Sequence, residues 1–200
     1  MPGWAYPSAE WVRQAEQQLA LDGKLAKVLK GESQPAGAAE HLALADLCQL
    51  PYKRLYAAAA RFYADAFTAE PKLADDPRLP HRYNAACAAA LAGCGQGEDA
   101  AQLDDKERAR LRRQAVDWLR ADLAAWTKLL DRDPKQARAS VRQKLRHWQT
   151  DADLAGLRDK DALAQLHEAE RATCQKLWAD VDALVVRVKP EAKEAPPDKP

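Results

Sequence analysis

The sequence predicts an all-α protein, and two observations support that prediction. Several long segments place apolar residues at the spacing of one helix face, whereas none shows the alternation of apolar and polar residues typical of a β-strand. The composition agrees, because Ala, Leu, Arg and Asp are abundant while the 200 residues include only 8 Gly, 2 Phe and 1 Met. We therefore expect about seven to nine helices.

The first predicted helix begins at Ser8, whose side chain can cap it, and runs to about residue 29. Its apolar residues near one face are Trp11, Ala15, Leu19 and Leu25. A polar linker at 31–37 then leads to a second helix over about 38–49. The core residues expected of this second helix are Leu44, Leu47 and Cys48.

Two segments in the middle of the chain, 54–73 and 82–95, predict the second helix of one hairpin and the first helix of the next. Pro71 ends the first of these helices, whose apolar face comprises Ala59, Tyr63, Ala66 and Phe67. The second is a slim helix that ends at Gly93, and its small and apolar residues are Ala85, Ala86, Ala88, Ala89 and Leu91. Small residues on both segments allow neighbouring helices to approach closely.

The C-terminal half predicts three further helices. A helix over about 105–130 carries a long apolar stripe of Leu111, Ala115, Trp118, Leu119, Leu123, Trp126 and Leu130. A second helix, from Pro134 to about residue 148, buries Val141, Leu145 and Trp148. After short helical turns over 150–166, the last helix, 168–188, presents Cys174, Leu177, Trp178, Val181, Leu184, Val185 and Val188.

The order of small, aromatic and proline positions resembles the tetratricopeptide repeat (TPR), a helix-turn-helix unit of about 34 residues. The positions that resemble the second helix of one repeat are Tyr56, Ala59, Tyr63, Ala66 and Pro71. Those that resemble the first helix of the next repeat are Tyr83, Asn84, Ala86 and Gly93. The segment 94–106 departs from the pattern, because it inserts residues where a tight turn belongs.

A longer resemblance covers nearly the whole chain, which is similar to the C-terminal, TPR-like region of serine/threonine protein kinases from planctomycete-type bacteria. The phrases that carry it include KVLKGESQPAGAAEHLALADLC, RLYAAAARFYADAF, HRYNAACAAALAGCG and QAVDWLRADLAAW. The resemblance implies TPR-like helical hairpins in a short solenoid with flanking helices. We divide the chain into an N-terminal helix and linker (1–36), a TPR-like domain packed with that helix (37–189) and a disordered tail (190–200).

The resemblance implies a concave groove that binds a peptide or a helix of another protein. The residues expected to face it are Tyr83, Asn84, Cys87, Ala90 and Leu91. The alternative is that these residues pack against the flanking helices, since the array is short. A second candidate surface is the basic patch Arg138, Arg142 and Arg146, which could contact phosphates or simply face water.

Catalysis is not expected, because the chain lacks a kinase phosphate loop and the Asp-Phe-Gly metal motif. The sequence around Arg82 superficially resembles a kinase catalytic loop, but Tyr83 stands where that loop has its Asp, and we expect a solvated helix start instead. No cofactor or metal site is expected either, because the four His and four Cys are scattered along the chain. Reduced thiols suit a cytoplasmic location.

Three functions stay in consideration: a non-catalytic interaction module associated with a serine/threonine kinase, a purely structural helical scaffold, and a phosphate or nucleic-acid binder that uses the basic helix 132–146. The first leads, and its expected partner is a protein or peptide, with a kinase domain as the first candidate. A formal net charge of +1 gives no general attraction to nucleic acid, and no apolar run is long enough to insert into a membrane.

Overall fold

A computed structural model describes residues 8–189 and confirms the all-α prediction, since no β-strand occurs within that range. Seven helices have eleven or more residues: α1 (Ser8–Leu29), α2 (Ala38–Cys48), α3 (Tyr56–Ala69), α5 (His81–Gly93), α6 (Asp105–Arg132), α7 (Pro134–Thr150) and α10 (Glu168–Arg187). The short helices are α4 (Lys72–Asp75), α8 (Ala155–Arg158) and α9 (Lys160–Ala164), with 3₁₀ turns at 100–102 and 152–154. The expected disordered tail at 190–200 and the first seven residues lie outside the described range.

Successive helices pack side by side in chain order. Helix α2 packs on α3, α3 on α5 and α5 on α6, while α6 also contacts α7 and α10. The alanines at these contacts, including Ala59 and Ala86, are fully buried, and their small side chains let the helix backbones approach closely. Gly93 shows the same principle at the end of α5, where an added Cβ would lie 2.8 Å from Cγ of Arg112 on α6.

Polar side chains define several helix starts. The Asp104 carboxylate accepts a hydrogen bond from the Glu107 amide (2.7 Å) and thereby caps α6. The inserted segment 94–106 supplies a second cap, because Asp99 accepts hydrogen bonds from the amides of Ala57 (3.2 Å) and Ala58 (2.9 Å) at the start of α3. This segment therefore ties α3 to the loop that precedes α6, across more than 40 residues of sequence.

Within residues 8–189, one ion pair has both side chains buried, and it corrects the prediction for Arg82. Arg82 is only 8% exposed, and its Nε donates to Oδ1 of Asp122 on α6 at 2.8 Å. The expectation of a solvated helix start was wrong for this residue, because α5 is buried between α3 and α6 and its first turn faces α6. Burial raises the pKa of Asp122, whereas Arg82 and then Lys144 act to lower it.

Among the described side chains of α1, the buried and half-buried ones lie near its C-terminal end, contrary to the apolar face predicted for the helix. Leu25 is buried, but Leu19 is 73% exposed and Trp11 is 53% exposed. Two ion pairs of 2.5 Å, Lys24–Glu40 and Asp22–Lys53, hold the packed end against α2 and the loop after it. The reason is length: a helix of 22 residues extends about 33 Å, twice the length of the 11-residue α2 beside it.

Candidate functional site

The five residues predicted to line a peptide groove do not form an open surface. Cys87, Ala90 and Leu91 are 4%, 1% and 6% exposed, and Tyr83 and Asn84 are half-buried. The expectation of an open groove on α5 is therefore corrected: this face belongs to the core.

The C-terminal segment fills the space where the groove was expected. The Tyr83 ring stacks on Trp148 of α7, with ring centroids 5.7 Å apart and planes 8° apart, and its hydroxyl donates to Oδ2 of Asp151. Trp148 also contacts Trp126 of α6, with centroids 4.7 Å apart. Because a tryptophan buries a large apolar surface, its insertion beside Tyr83 leaves α5 closed to a partner.

The predicted basic patch lies along one face of α7. Arg138, Arg142 and Arg146 are spaced four residues apart, so they form one stripe, in which Arg146 is exposed and the other two are half-buried. Lys144 does not belong to this stripe. Its Nζ donates to the carbonyl of Pro77 (2.7 Å) and lies 5.5 Å from the centroid of the Trp126 ring.

A surface groove that the sequence analysis missed runs between α6 and α10, which lie parallel to each other. Three adjoining cavities of about 270, 420 and 310 Å³ line up along it. The first two share Arg120 and the last two share Arg187, so the cavities form one continuous depression. We call this the α6–α10 groove, and its lining extends on α6 from Arg112 to Asp131.

Ion pairs tie the two helices together at both ends of the groove. Arg112 pairs with Glu170 at 3.0 Å at one end, and Arg187 pairs with Asp131 at 2.6 Å at the other. Between these two ion pairs, the small side chains that line the groove leave a depression, and apolar residues form its floor in the middle. Its lining there includes Leu123, Ala124, Thr127, Ala183 and Leu184.

Two arginines, Arg113 and Arg120, line the α6 side of the groove, whose lining also includes the carboxylates of Asp117 and Asp180. Arg113 is exposed and has no ion-pair partner among residues 8–189, while Arg120 donates to the carbonyl of Thr173 at 3.2 Å. Asp117 stands between them as the one carboxylate of that stretch. Arg113 and Arg120 are seven residues apart, so they lie on the same helix face, about 10 Å from each other.

A sequence signal for the groove existed, although it is weak. The α6 residues Arg113, Asp117, Arg120, Ala124 and Thr127 follow the i, i+4, i+7, i+11, i+14 spacing of one helix face. A helix face with polar and small side chains is equally typical of the side of a helix that faces solvent. Only the packing of α10 beside it, which is a long-range contact, makes it one wall of a groove.

A second cluster gathers metal-binding side-chain types beside Tyr83. The cluster comprises Cys87 on α5 and two carboxylates around the 3₁₀ turn, Asp151 and Asp153. One donor atom of each residue lies within 4.8 Å of a donor atom of the other two. His147, whose Nε2 lies 3.2 Å from Oδ2 of Asp151, adjoins the cluster. Burial raises the pKa of the Cys87 thiol, and the carboxylates of Asp151 and Asp153 raise it further because they disfavour a neighbouring thiolate.

Comparisons of the chain with protein-family models, with curated proteins and with solved structures find no match. Within residues 8–189, no helix combines the length and the apolar character that a membrane span requires. A functional assignment must therefore rest on the residues and surfaces described above.

Proposed function

We propose that this chain is a non-catalytic protein-interaction module of the TPR type that acts beside a serine/threonine kinase domain, as in the bacterial kinases that it resembles. The ordered packing of α2, α3, α5 and α6, with alanines at the helix contacts, supports a short solenoid of two hairpins. The four cysteines are free thiols, and this suits a cytoplasmic location.

The α6–α10 groove is the surface that we assign to the partner. The single observation that carries this assignment is the continuity of the three cavities over the length of α6 from Arg112 to Asp131, about 28 Å at 1.5 Å per residue. A groove between two parallel helices suits a third helix laid along it, which is a common mode of peptide recognition. On α5, Trp148 packs against Tyr83, so we assign the partner to the α6–α10 groove instead.

The chemistry of the groove suits an amphipathic helix of the partner protein. Apolar side chains of that helix would pack on Leu123 and Leu184. Two carboxylates seven residues apart would match the spacing of Arg113 and Arg120, and guanidinium–carboxylate pairs fix the register of such a helix. In the resembling family, the kinase domain is the first candidate to carry this helix.

The test blocks the groove without disturbing the core. Ala183 is exposed and lines the groove, whereas Ala179 is exposed on the same helix and does not line it, so Ala183→Arg and Ala179→Arg form a matched pair. The binding partners are the purified kinase domain and helical peptides selected on the protein from a display library. We expect Ala183→Arg to weaken binding at least about tenfold and Ala179→Arg to leave it unchanged, because a long charged side chain would occupy the floor.

Two results would contradict the proposal. The first is equal binding by the two variants at equal thermal stability, which would show that the partner does not enter the groove. The second is loss of binding on Arg142→Glu with Arg146→Glu, together with retained binding by Ala183→Arg. That outcome would transfer the function to the basic stripe of α7, whose affinity for phosphates would also fall steeply with salt.

A further inference from the structure

We propose that Cys87, Asp151 and Asp153, with His147 beside them, form a binding site for a divalent transition-metal ion of the zinc class. The donors come from two distant parts of the chain, α5 and the end of α7 with the 3₁₀ turn that follows it. The set combines a thiol, two carboxylates and an imidazole, which are the ligand types of zinc sites in proteins. This site is separate from the α6–α10 groove, so the two proposals stand independently.

The geometry is close to what one ion requires. The donor atoms of Cys87, Asp151 and Asp153 lie within 4.8 Å of one another. With metal–sulfur and metal–oxygen bonds of about 2.3 and 2.1 Å, the tetrahedral sulfur–oxygen separation is about 3.6 Å. Movements of the donor atoms by roughly an ångström therefore suffice to bring them within bonding distance of one ion. Side-chain rotation can supply this movement, since both carboxylates lie on a turn rather than within a long helix.

The electrostatic environment favours a cation at this position. The carboxylates of Asp151 and Asp153 lie close to each other, and a bound cation would offset the repulsion between them. The nearby Arg158 does not neutralise the pair, because its Nη1 donates to the carbonyl oxygens of Asp151 (2.7 Å) and Trp148 (3.1 Å) and its Nε to Asp159 (3.0 Å).

The surroundings hold the donors in place. The Tyr83 hydroxyl donates to Asp151, and the Tyr83 ring is fixed by its stack on Trp148. Asp151 also caps the 3₁₀ turn, because its Oδ1 accepts a hydrogen bond from the Asp153 amide at 2.9 Å. Such outer contacts orient ligands before the metal arrives and reduce the cost of ordering them.

Binding would convert the Cys87 thiol into a thiolate. The sulfur–hydrogen bond breaks, the proton passes to solvent, and the sulfur electron pair forms the bond to the metal ion, so one proton is released per ion bound. The exposed His147 and the half-buried Asp153 give the ion a route from solvent, whereas Cys87 lies at the inner end of the site. The soft sulfur donor favours zinc over magnesium or calcium, which prefer oxygen ligands alone.

The test titrates the metal-free protein with Co²⁺, whose bond to a thiolate gives a charge-transfer absorption band, and then displaces the Co²⁺ with Zn²⁺. We expect one equivalent of Co²⁺ to produce the band and Zn²⁺ to abolish it. Cys87→Ser should remove the band, and Asp153→Asn should weaken Co²⁺ binding at least about tenfold while the protein stays folded. The controls are Cys94→Ser, a half-buried thiol outside the cluster, and Asp161→Asn, an exposed carboxylate.

The proposal is overturned if Co²⁺ gives no charge-transfer band with the folded parent protein, or if the band persists in Cys87→Ser. It is equally overturned if Cys94→Ser removes the band while Cys87→Ser does not. Should Cys87→Ser fail to fold, Asp153→Asn decides the matter, because an unchanged affinity in that folded variant excludes Asp153 as a ligand.

Discussion

Replacement of Arg82 by Met should strongly destabilise the protein, because it leaves a buried carboxylate without its partner. The Arg82 and Asp122 side chains are 9% and 8% exposed, and their 2.8 Å hydrogen bond is the contact between the first turn of α5 and the middle of α6. Methionine preserves most of the apolar stem of arginine but cannot donate to Asp122. The variant therefore isolates the loss of the charge and of the hydrogen bond.

The expected loss is about 3 to 5 kcal/mol in the free energy of unfolding, the range measured when one partner of a buried ion pair is removed. We expect the lower end, because Lys144 also acts on Asp122 and offsets part of the loss. Removal of both charges in Arg82→Met with Asp122→Leu should recover most of the stability, since an apolar pair of similar volume has no charge to desolvate.

The loss of stability caused by Arg82→Met should be smaller at acidic pH. Burial holds the pKa of Asp122 above its ordinary value of 3.8, so the folded protein binds this proton more tightly than the unfolded chain does. A carboxyl group of this kind reduces stability as the pH rises from its unfolded pKa through its folded pKa. Without Arg82 the folded pKa rises further, so Arg82→Met should be less destabilising at about pH 5 than at about pH 7.5.

Urea unfolding followed by tryptophan fluorescence measures these differences for the parent, both single variants and the double variant. The double-mutant cycle then gives the coupling between the two side chains. A loss below about 1 kcal/mol for Arg82→Met, or a loss that grows in acid, would refute the reasoning, because either result means that Asp122 is not a buried carboxylate held by Arg82.

Three further predictions test the packing. Gly156→Ala should lower the free energy of unfolding in urea by about 1 to 3 kcal/mol, because the added Cβ would overlap Sγ of Cys94. A second substitution, Cys94→Ala, should restore part of that stability. Gly23→Ala is the control: open space surrounds Gly23, so this variant should stabilise α1 by up to about 1 kcal/mol. Equal effects at the two glycines would contradict the packing. Ala86→Arg should abolish cooperative thermal unfolding, because the site has no exposed surface; a melt like that of the parent would disprove this. A truncated chain that begins at Leu21 should keep the melting temperature within a few degrees, and a larger fall would show that the exposed half of α1 is packed.

The helix boundaries could be predicted from the sequence because their signals are local. Pro71, Gly93 and Pro134 each act on the backbone of their own turn, and apolar periodicity over two or more turns identifies a helix without reference to its neighbours. The seven long helices begin and end within a few residues of their predicted limits. Most of the buried apolar residues could be predicted for the same reason.

What could not be predicted depends on contacts between distant residues. An arginine at a helix start is usually solvated, and only Asp122, 40 residues away, makes Arg82 a core residue. The inserted segment gave no sign that Asp99 would cap α3. The apolar and aromatic residues on α5 are compatible with either a groove or a core, and the difference lies in whether Trp148 packs on Tyr83, which periodicity alone does not determine.

The proposed function is tested most directly by hydrogen exchange of the backbone amides, measured with and without the bound kinase domain or a selected helical peptide. The account predicts slower exchange along both walls of the α6–α10 groove, in 113–127 and 169–187. It predicts unchanged exchange in the part of the α7 basic stripe that lies outside the groove, 142–146. Protection of the α7 stripe without protection of α6 and α10 would contradict the central claim that this groove holds the partner.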